Sequence, residues 1–490
     1  MKKNDLIIEE LGRVIGVSGP VIKIEGLPGI EMGEMLRVGK EKAIVFQFGQ
    51  EFTSALIYQN IVYALLLENT KTVKTGEKVE KMNKVFQIPV GEELIGKIID
   101  PLGRDIDTKI LIKTKKLKEI ERKPPEIMER GRIQEPLETG IKIIDALFPI
   151  GKGQRELIVG DRKTGKTTLA LDTILNQKDK NIICVYAGIG QRKAETVQIL
   201  KTLKNEGALN YTTIITAYSS DSPVLRYLVP FSAMTIAEYF RDQGKDVLVV
   251  FDDLTKHAWA WRELSLLLKR PPGREAYPGD IFYLHARLLE RAAKLNKDYG
   301  GGSITALPIC ETKEGDISEY IPTNLISITD GQLYLEADLF QKGVKPAINI
   351  GLSVSRIGSQ AQRRCIREAT QGLKLILSQH QELKKLLQLE TKISKEAQKK
   401  FHRGEILLQI FKQQKHELVE TTDQSIMYFA ILEGLMDDVD LRDIKEFESN
   451  FYKFINDIHP EFKKEVLKRG WTNKTKASLE EIINEFKLME

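Results

Sequence analysis

The chain has only three cysteines in 490 residues. Cys184, Cys310 and Cys365 lie far apart and form no CxxC pair. A disulfide framework and a thiolate metal site are both excluded, and the expectation is three reduced, mostly buried thiols in a cytosolic protein. Histidine is also scarce: there are six, none at metal-ligand spacing. Charge of one sign is missing too. Lys+Arg 74 against Asp+Glu 69 leaves a net charge of +5, with the basic residues dispersed. That is no electrostatic footprint for nucleic acid. No apolar run approaches the roughly 20 residues of a membrane helix. The opening "MKKNDLIIEE" carries an apolar run of only three, so it does not read as a signal peptide. No internal repeat or low-complexity tract occurs.

With 42% apolar and 29% charged residues, the composition is that of a soluble globular protein. Its length calls for more than one domain. Three regions differ in grain. In residues 1–88, "GRVIGVSGPVIKIEGL" alternates apolar and polar residues and breaks at Gly19-Pro20; "KAIVFQFG", "ALIYQNIVYALLLE", a turn near Lys74 and "VFQIPVG" follow. Short strands punctuated by Gly and Pro predict a small β-barrel. In 89–366, apolar strands ("ELIVG", "NIICVYAG", "TTIITAYS", "DVLVVFDD", "SITALPI") alternate with helices. That pattern predicts a parallel sheet covered on both faces, a multidomain α/β chain overall. "PPGREAYPGD", Pro271 to Asp280, reads as a stiff exposed loop. In 367–490, apolar positions recur at three and four and predict an α-helical bundle. There Ser478 followed by Glu480 and Glu481 reads as a helix start.

The stretch "GDRKTGKTT" fits the P-loop pattern, with a strand before it and a helix after. The backbone of Gly160, Asp161, Arg162, Lys163, Thr164 and Gly165 would cradle phosphate, with Thr168 continuing the helix start. Lys166 would neutralise the terminal phosphates and the Thr167 hydroxyl would ligate Mg²⁺. Asp252 ends the apolar strand "VLVVFDD", where a P-loop enzyme keeps its magnesium-side carboxylate. Taken alone, an acid at a strand end is more often a solvated turn residue; the P-loop upstream in the same sheet favours the functional reading for Asp252, and Asp253 is open between the two. Gln191 ends the next strand. An amide there can position water but cannot act as a strong base; the plainer reading is a turn cap. Arg356, in "GLSVSRIGSQAQ", stands among small residues with room to project, though most arginines only form surface ion pairs. "HAWAW" reads as helix packing.

Together these stretches closely resemble the α-type subunits of F-type ATP synthases, from about Leu11 to about Asp440. The resemblance rests on "GDRKTGKTT", "GQRKAETVQ", "DDLTKHAWAWRELSLLLKRPPGREAYPGDIFYLHARLLERAAKLN", "EYIPTNLISITDGQLYLE" and "KPAINIGLSVSRIGSQAQ". It implies a β-barrel crown, a RecA-like nucleotide domain and a C-terminal helical bundle. It further implies a hexamer alternating with a catalytic β-type subunit around a γ-type shaft, peripheral on the cytoplasmic face of the membrane. The ligand would be ATP or ADP with Mg²⁺. Arg162, Lys166, Thr167 and Asp252 match the family's phosphate and magnesium contacts. Gln191 stands where catalytic β subunits carry the water-activating Glu, which implies a site that holds its nucleotide. Arg356 matches the arginine reaching into the neighbouring site, and Pro271 to Asp280 match the sleeve around the shaft.

Three departures accompany the resemblance. Lys345-Pro346 replaces the usual Arg-Pro on the base side, and Lys415 replaces a second Gln beyond Gln413. The barrel pattern also begins within about a dozen residues of Met1, which leads to the expectation of a motor without the usual stator grip. Two readings of the assembly therefore stand side by side: an ordinary synthase subunit, and the α-like subunit of a divergent F-type motor. A Rho-like hexameric RNA translocase shares barrel and RecA-like domain. It would require a basic, aromatic barrel face, whereas this one is acid-rich, with few aromatics beyond Phe46, Phe48 and Phe52.

Overall fold

The computed structural model describes residues 11–52, 58–68, 72–388 and 394–489. The first ten residues, on which the stator expectation rests, lie outside them. Strands β1 (Leu11–Ser18), β2 (Val21–Glu25), β3 (Glu34–Val38), β4 (Glu41–Phe52), β5 (Tyr58–Leu66) and β6 (Lys78–Val85) close a barrel in the order β1-β2-β5-β4-β3-β6. The alternation read from the sequence sends Val14, Ile22, Ile24, Leu36, Val45 and Val79 into a dry interior. "VFQIPVG" is not part of it. β7 (Gln87–Val90) leaves the barrel and pairs antiparallel with β9 (Lys116–Glu119) as a separate ribbon. The reason is local: the barrel already closes between β6 and β1, so no edge is left for a further strand.

The central sheet contains β8 (Ile98–Ile99), β10 (Leu157–Gly160), β11 (Ile182–Gln191), β12 (Thr212–Tyr218), β13 (Asp246–Asp252), β14 (Ser303–Glu311), β15 (Gly331–Leu335) and β16 (Val354–Ser355). Their order is β16-β15-β10-β14-β13-β11-β12-β8, parallel except for β16, which runs antiparallel to β15 at the edge. The strands are apolar throughout because both faces are buried. On β13, Leu248 and Val250 join one core, while Val247, Val249 and Phe251 join the other. The first core lies under α1 (Lys142–Leu147), α2 (Lys166–Leu175), α3 (Lys193–Asn205) and the C-terminal helices; the second lies under α4 (Pro223–Arg241), α5 (Leu254–Leu267), α6 (Ile281–Leu289) and α7 (Tyr320–Ile328).

After α8 (Ala337–Gln341), the chain is helical beyond β16: α9 (Arg364–Thr370), α10 (Leu373–Gln388), α11 (Lys395–Phe411), α12 (Thr421–Glu433), α13 (Ile444–Ile458), α14 (Pro460–Arg469) and α15 (Asn473–Met489). These helices share a continuous core with the sheet rather than hanging from it. The helix start expected at Ser478 is wrong by more than a turn. α15 begins at Asn473, where the Thr472 hydroxyl accepts from the Thr475 amide at 3.3 Å, and the Thr475 hydroxyl accepts from the Thr472 amide at 2.8 Å. That reciprocal threonine cap satisfies the first amides before Ser478 is reached. The loop Pro271 to Asp280 is irregular save for one tight turn at Arg274–Ala276, and Asp280 pins its root to Trp261 and Arg270. All three cysteines are free and buried, as expected. Among the described residues no helix is long and apolar enough to cross a membrane.

Candidate functional site

The site lies at the carboxyl ends of β10, β11 and β13, where an open parallel sheet presents loops and helix N-termini to a ligand. The turn after β10 reaches Gly165, which takes a left-handed φ of 101° at the N-cap of α2. A Cβ there would touch only the Leu335 and Phe340 side chains, at the ordinary contact distances of 3.9 and 4.0 Å, so no backbone crowds the space over the helix start. A row of backbone amides and the positive helix end face that space, an anion cradle by construction. Lys166 is buried, and its ammonium donates to the Gly160 carbonyl at 2.8 Å and the Asp161 carbonyl at 2.5 Å. Burial pushes its pKa down, against the pull of Glu311, Asp253 and Asp252.

A polar chain crosses the floor of the cleft. The Thr167 hydroxyl donates to Asp252 Oδ2 at 2.8 Å, and the Tyr186 hydroxyl donates to the same oxygen at 2.6 Å. Gln191 Nε2 then donates to Tyr186 at 2.8 Å. Gln191 is buried, and its Oε1 has no partner among the described residues. The strand-end position expected for Gln191 is correct, and its amide is steered by Tyr186, a residue the sequence reading passed over. The available signal was a lone hydroxyl inside the apolar run "NIICVYAG". A hydroxyl and a carboxylate oxygen 2.8 Å apart beside a phosphate cradle form the hard oxygen donor set that Mg²⁺ takes, with room for waters. The residues therefore fit the ion.

Asp253 belongs to the scaffold. It caps α5, accepting from the Lys256 amide at 2.8 Å, and pairs with the Lys256 ammonium at 2.9 Å. Asp161 turns toward the loop after β14, accepting from Thr312 at 2.6 Å and the Gly315 amide at 2.9 Å. Thr164 folds back onto the Asp161 carbonyl. Arg162 is exposed; it donates to Glu311 at 2.8 Å and lies 6.0 Å from the Trp259 ring centroid. Lys163 is exposed, while Thr168 lines the same opening. Each acid lining this cleft, Glu195, Asp252, Asp253 and Glu311, already engages a protein group.

A second recess of about 260 Å³ opens beside the cradle, walled by Ile141, Leu335, Phe340, Pro346 and the lysines Lys345 and Lys415. Gln413 lines it, but its amide is committed elsewhere. Its Oε1 accepts from the Lys142 amide at 2.9 Å, and its Nε2 donates to the carbonyls of Gly140 and Glu417. Gln413 thus ties the loop after α11 to the loop before α1. Lys345 lies 4.9 Å over the Phe340 ring. The loop carrying Lys415 is held by His416, whose Nδ1 pairs with Asp172 at 2.7 Å. Nothing in the spacing of Asp172 and His416 announced that contact.

Arg356 is not in this cleft. It follows β16 at the far edge of the sheet and is exposed, with only its backbone amide engaged, donating to the Asp330 carbonyl at 2.9 Å. Its guanidinium has no hydrogen-bond or ion-pair partner among the described residues.

Family comparison covers both halves of this geometry. Residues 140–355 match the nucleotide-binding domain of the ATP synthase alpha/beta family, and residues 362–486 match the C-terminal domain of the ATP synthase alpha/beta chain. A protein of Acholeplasma laidlawii (strain PG-8A), named ATP synthase subunit alpha, is 46% identical over 98% of this chain and 95% of its own length. One of Aquifex aeolicus (strain VF5), bearing the same name, is 44% identical over 98% of this chain and 94% of its own.

Proposed function

The chain belongs to the ATP synthase alpha/beta family, and from that premise we propose a division of labour between its own cleft and its sheet edge. It is a nucleotide-binding alpha-type subunit of an F-type ATPase. Its own cleft holds Mg-ATP or Mg-ADP without turning it over, and Arg356 serves the cleft of a neighbouring β-type subunit. The partners of this reading are that β-type subunit in an alternating hexamer and a γ-type shaft within the sleeve formed by Pro271 to Asp280. The assembly sits on the cytoplasmic face of the membrane.

The observation that carries the reading is the state of the cleft's polar groups. Hydrolysis requires a base or water-orienting group poised at the terminal phosphate. Here Glu311, Glu195 and Asp253 are paired with Arg162, Arg192 and Lys256, and Asp252 faces the Thr167 and Tyr186 hydroxyls on the ion side. The remaining candidate, Gln191, is an amide turned onto Tyr186. Thr167 and Asp252 hold the ion, and Mg²⁺ when bound spreads the charge of the terminal phosphates. Lys166 and the amides before α2 hold the phosphates, and Lys345, Pro346, Phe340 and Lys415 wall the base. All of these bind the ground state, and uniform binding lowers no barrier.

The test uses the isolated chain. It should retain Mg-nucleotide through gel filtration and show no sustained phosphate release, and Lys166→Ala should abolish retention. Steady hydrolysis by the pure chain that disappears in Lys166→Ala would overturn the holding role.

A further inference from the structure

Two strands in from the β16 edge, Glu156 is a buried acid with an unmatched oxygen. It immediately precedes β10 and is fully buried. Its Oε2 accepts from Gln154 Nε2 at 2.7 Å, while its Oε1 has no partner among the described residues. An acid buried with half its carboxyl unmatched is destabilising, and such a group calls for a reason. The orientation of Gln154 is fixed, since its own carbonyl oxygen accepts from the Gly151 amide at 2.8 Å. Its amino group therefore faces Glu156, and it also reaches the Ser355 hydroxyl at 3.3 Å. Ser355 is the residue before Arg356, and its hydroxyl donates to the Pro149 carbonyl at 2.7 Å. Across the β15–β16 ladder Ser355 pairs with Gly331. A Cβ on Gly331 would stand 2.4 Å from Glu156 Oε2, so the carboxyl lies directly on the strand pair that carries Arg356.

The charged surroundings are few. Asp330, from the turn before β15, is clamped by Arg155 at 2.7 Å and 3.0 Å. Arg356 is the cation acting on Glu156. Burial pushes the Glu156 carboxyl well above the usual carboxylate range; the Gln154 hydrogen bond opposes this, Asp330 adds to it and Arg356 pulls against it.

We propose that Glu156 is a positioning residue for Arg356. It is a buried acid, linked through Gln154 to the residue before the arginine, whose open oxygen sets how far the guanidinium is presented to the neighbouring subunit. This rests on the reading of Arg356 as acting in trans. With the carboxyl protonated, the remaining acid at the root of β16, Asp330, is held by Arg155, and the guanidinium stands out toward the neighbour. With the carboxyl ionised, the buried charge draws it back. The finger is thus fully available below the pKa of Glu156 and is withdrawn as pH rises through it.

The experiment compares ATP hydrolysis against pH for reassembled rings containing the unaltered chain, Glu156→Gln, Arg356→Ala and the double variant. Gln keeps the size and the contact with Gln154 but cannot ionise. Glu156→Gln should remove an alkaline decline of about threefold or more in kcat while leaving nucleotide retention in this chain's own cleft unchanged. In the Arg356→Ala background the same change should do nothing further. An unaltered alkaline limb, or additive effects in the double variant, overturns the proposal while leaving the in-trans reading intact. Normal hydrolysis by the Arg356→Ala ring overturns both. If Glu156→Gln fails to assemble, Glu156→Asp must displace the same limb, and an unmoved limb there is equally fatal.

Discussion

The two ends of one sheet are built on opposite plans. At β10, β11 and β13 the polar groups are tied to one another: Lys166 to two carbonyls, Thr167 and Tyr186 to Asp252, Gln191 to Tyr186, Arg162 to Glu311. At β16 the Arg356 side chain is exposed, and the groups beneath it are rigid, with Arg155 and Asp330 locked together and Ser355 fixed to Pro149. A network whose members satisfy each other holds a ligand in one geometry. A charge left free on a stiff base is the arrangement suited to acting outside the molecule, because it surrenders no internal partner when it engages. The same fold can therefore hold at one end and act at the other, provided the two ends are independently supported.

The sharpest way to break this comparison is Arg356→Ala. An arginine finger supplies about 10³–10⁵ in rate, which corresponds to roughly 4–7 kcal/mol of barrier. The reassembled ring should lose at least about 10³ in steady-state hydrolysis, whereas the isolated chain should retain Mg-nucleotide as before. A ring that hydrolyses normally would remove the acting end from the comparison.

The next effect tests the holding end alone. Lys142 starts α1, is wholly buried and pairs with Glu448 on α13 at 2.5 Å; burial pushes its pKa down to about 8. Its backbone amide is the donor that Gln413 accepts, so this pair seats the wall of the base recess on the C-terminal helices. Glu448→Ala leaves a buried ammonium without its partner and should cost about 3–5 kcal/mol of stability, read as a lower denaturation midpoint. Nucleotide should also leave the cleft faster. Arg356 lies at the other end of the sheet, so hydrolysis per assembled ring should fall far less than in Arg356→Ala. Equal losses in both assays would show that the two ends share one support.

How far the sequence reached is clearest at particular residues. The P-loop was legible because the strand, glycines, Lys166 and Thr167 are contiguous, and local spacing alone fixes a helix N-terminus. The barrel and the parallel sheet followed from period-two alternation and from continuous apolar runs, both short-range signals. What stayed hidden depends on distant partners. Gln413 is consumed by Lys142 and Gly140, about 270 positions away in sequence. Glu156 acquires meaning only when β15 and β16 come to lie beside β10. Thr472 was missed for a different reason: two acids after Ser478 imitate a first turn, but the threonine pair upstream caps the helix first.

The smallest effect separates the two groups that Tyr186 joins. Its hydroxyl donates to Asp252 at 2.6 Å and accepts from Gln191 at 2.8 Å, so one atom joins the Asp252 carboxylate to the Gln191 amide. Burial, reinforced by Asp252, pushes its pKa well above the ordinary phenol value, so it remains a donor throughout the working range. Tyr186→Phe keeps the ring in the first core and deletes only this junction. Gln191 Nε2 then loses its acceptor, beside an Oε1 that already lacks a donor among the described residues, and Asp252 keeps Thr167 as its donor. Leaving one buried amide unmatched should cost about 1–2 kcal/mol, seen as a modest drop in the midpoint of urea unfolding. Asp252 is still present, so Mg-nucleotide should still bind, with affinity weakened by about tenfold at most. The isolated chain should remain without turnover, because an untethered glutamine is still no base. If Tyr186→Phe instead switches on hydrolysis in the isolated chain, then the tether, rather than the amide chemistry of Gln191, is what keeps this cleft from acting.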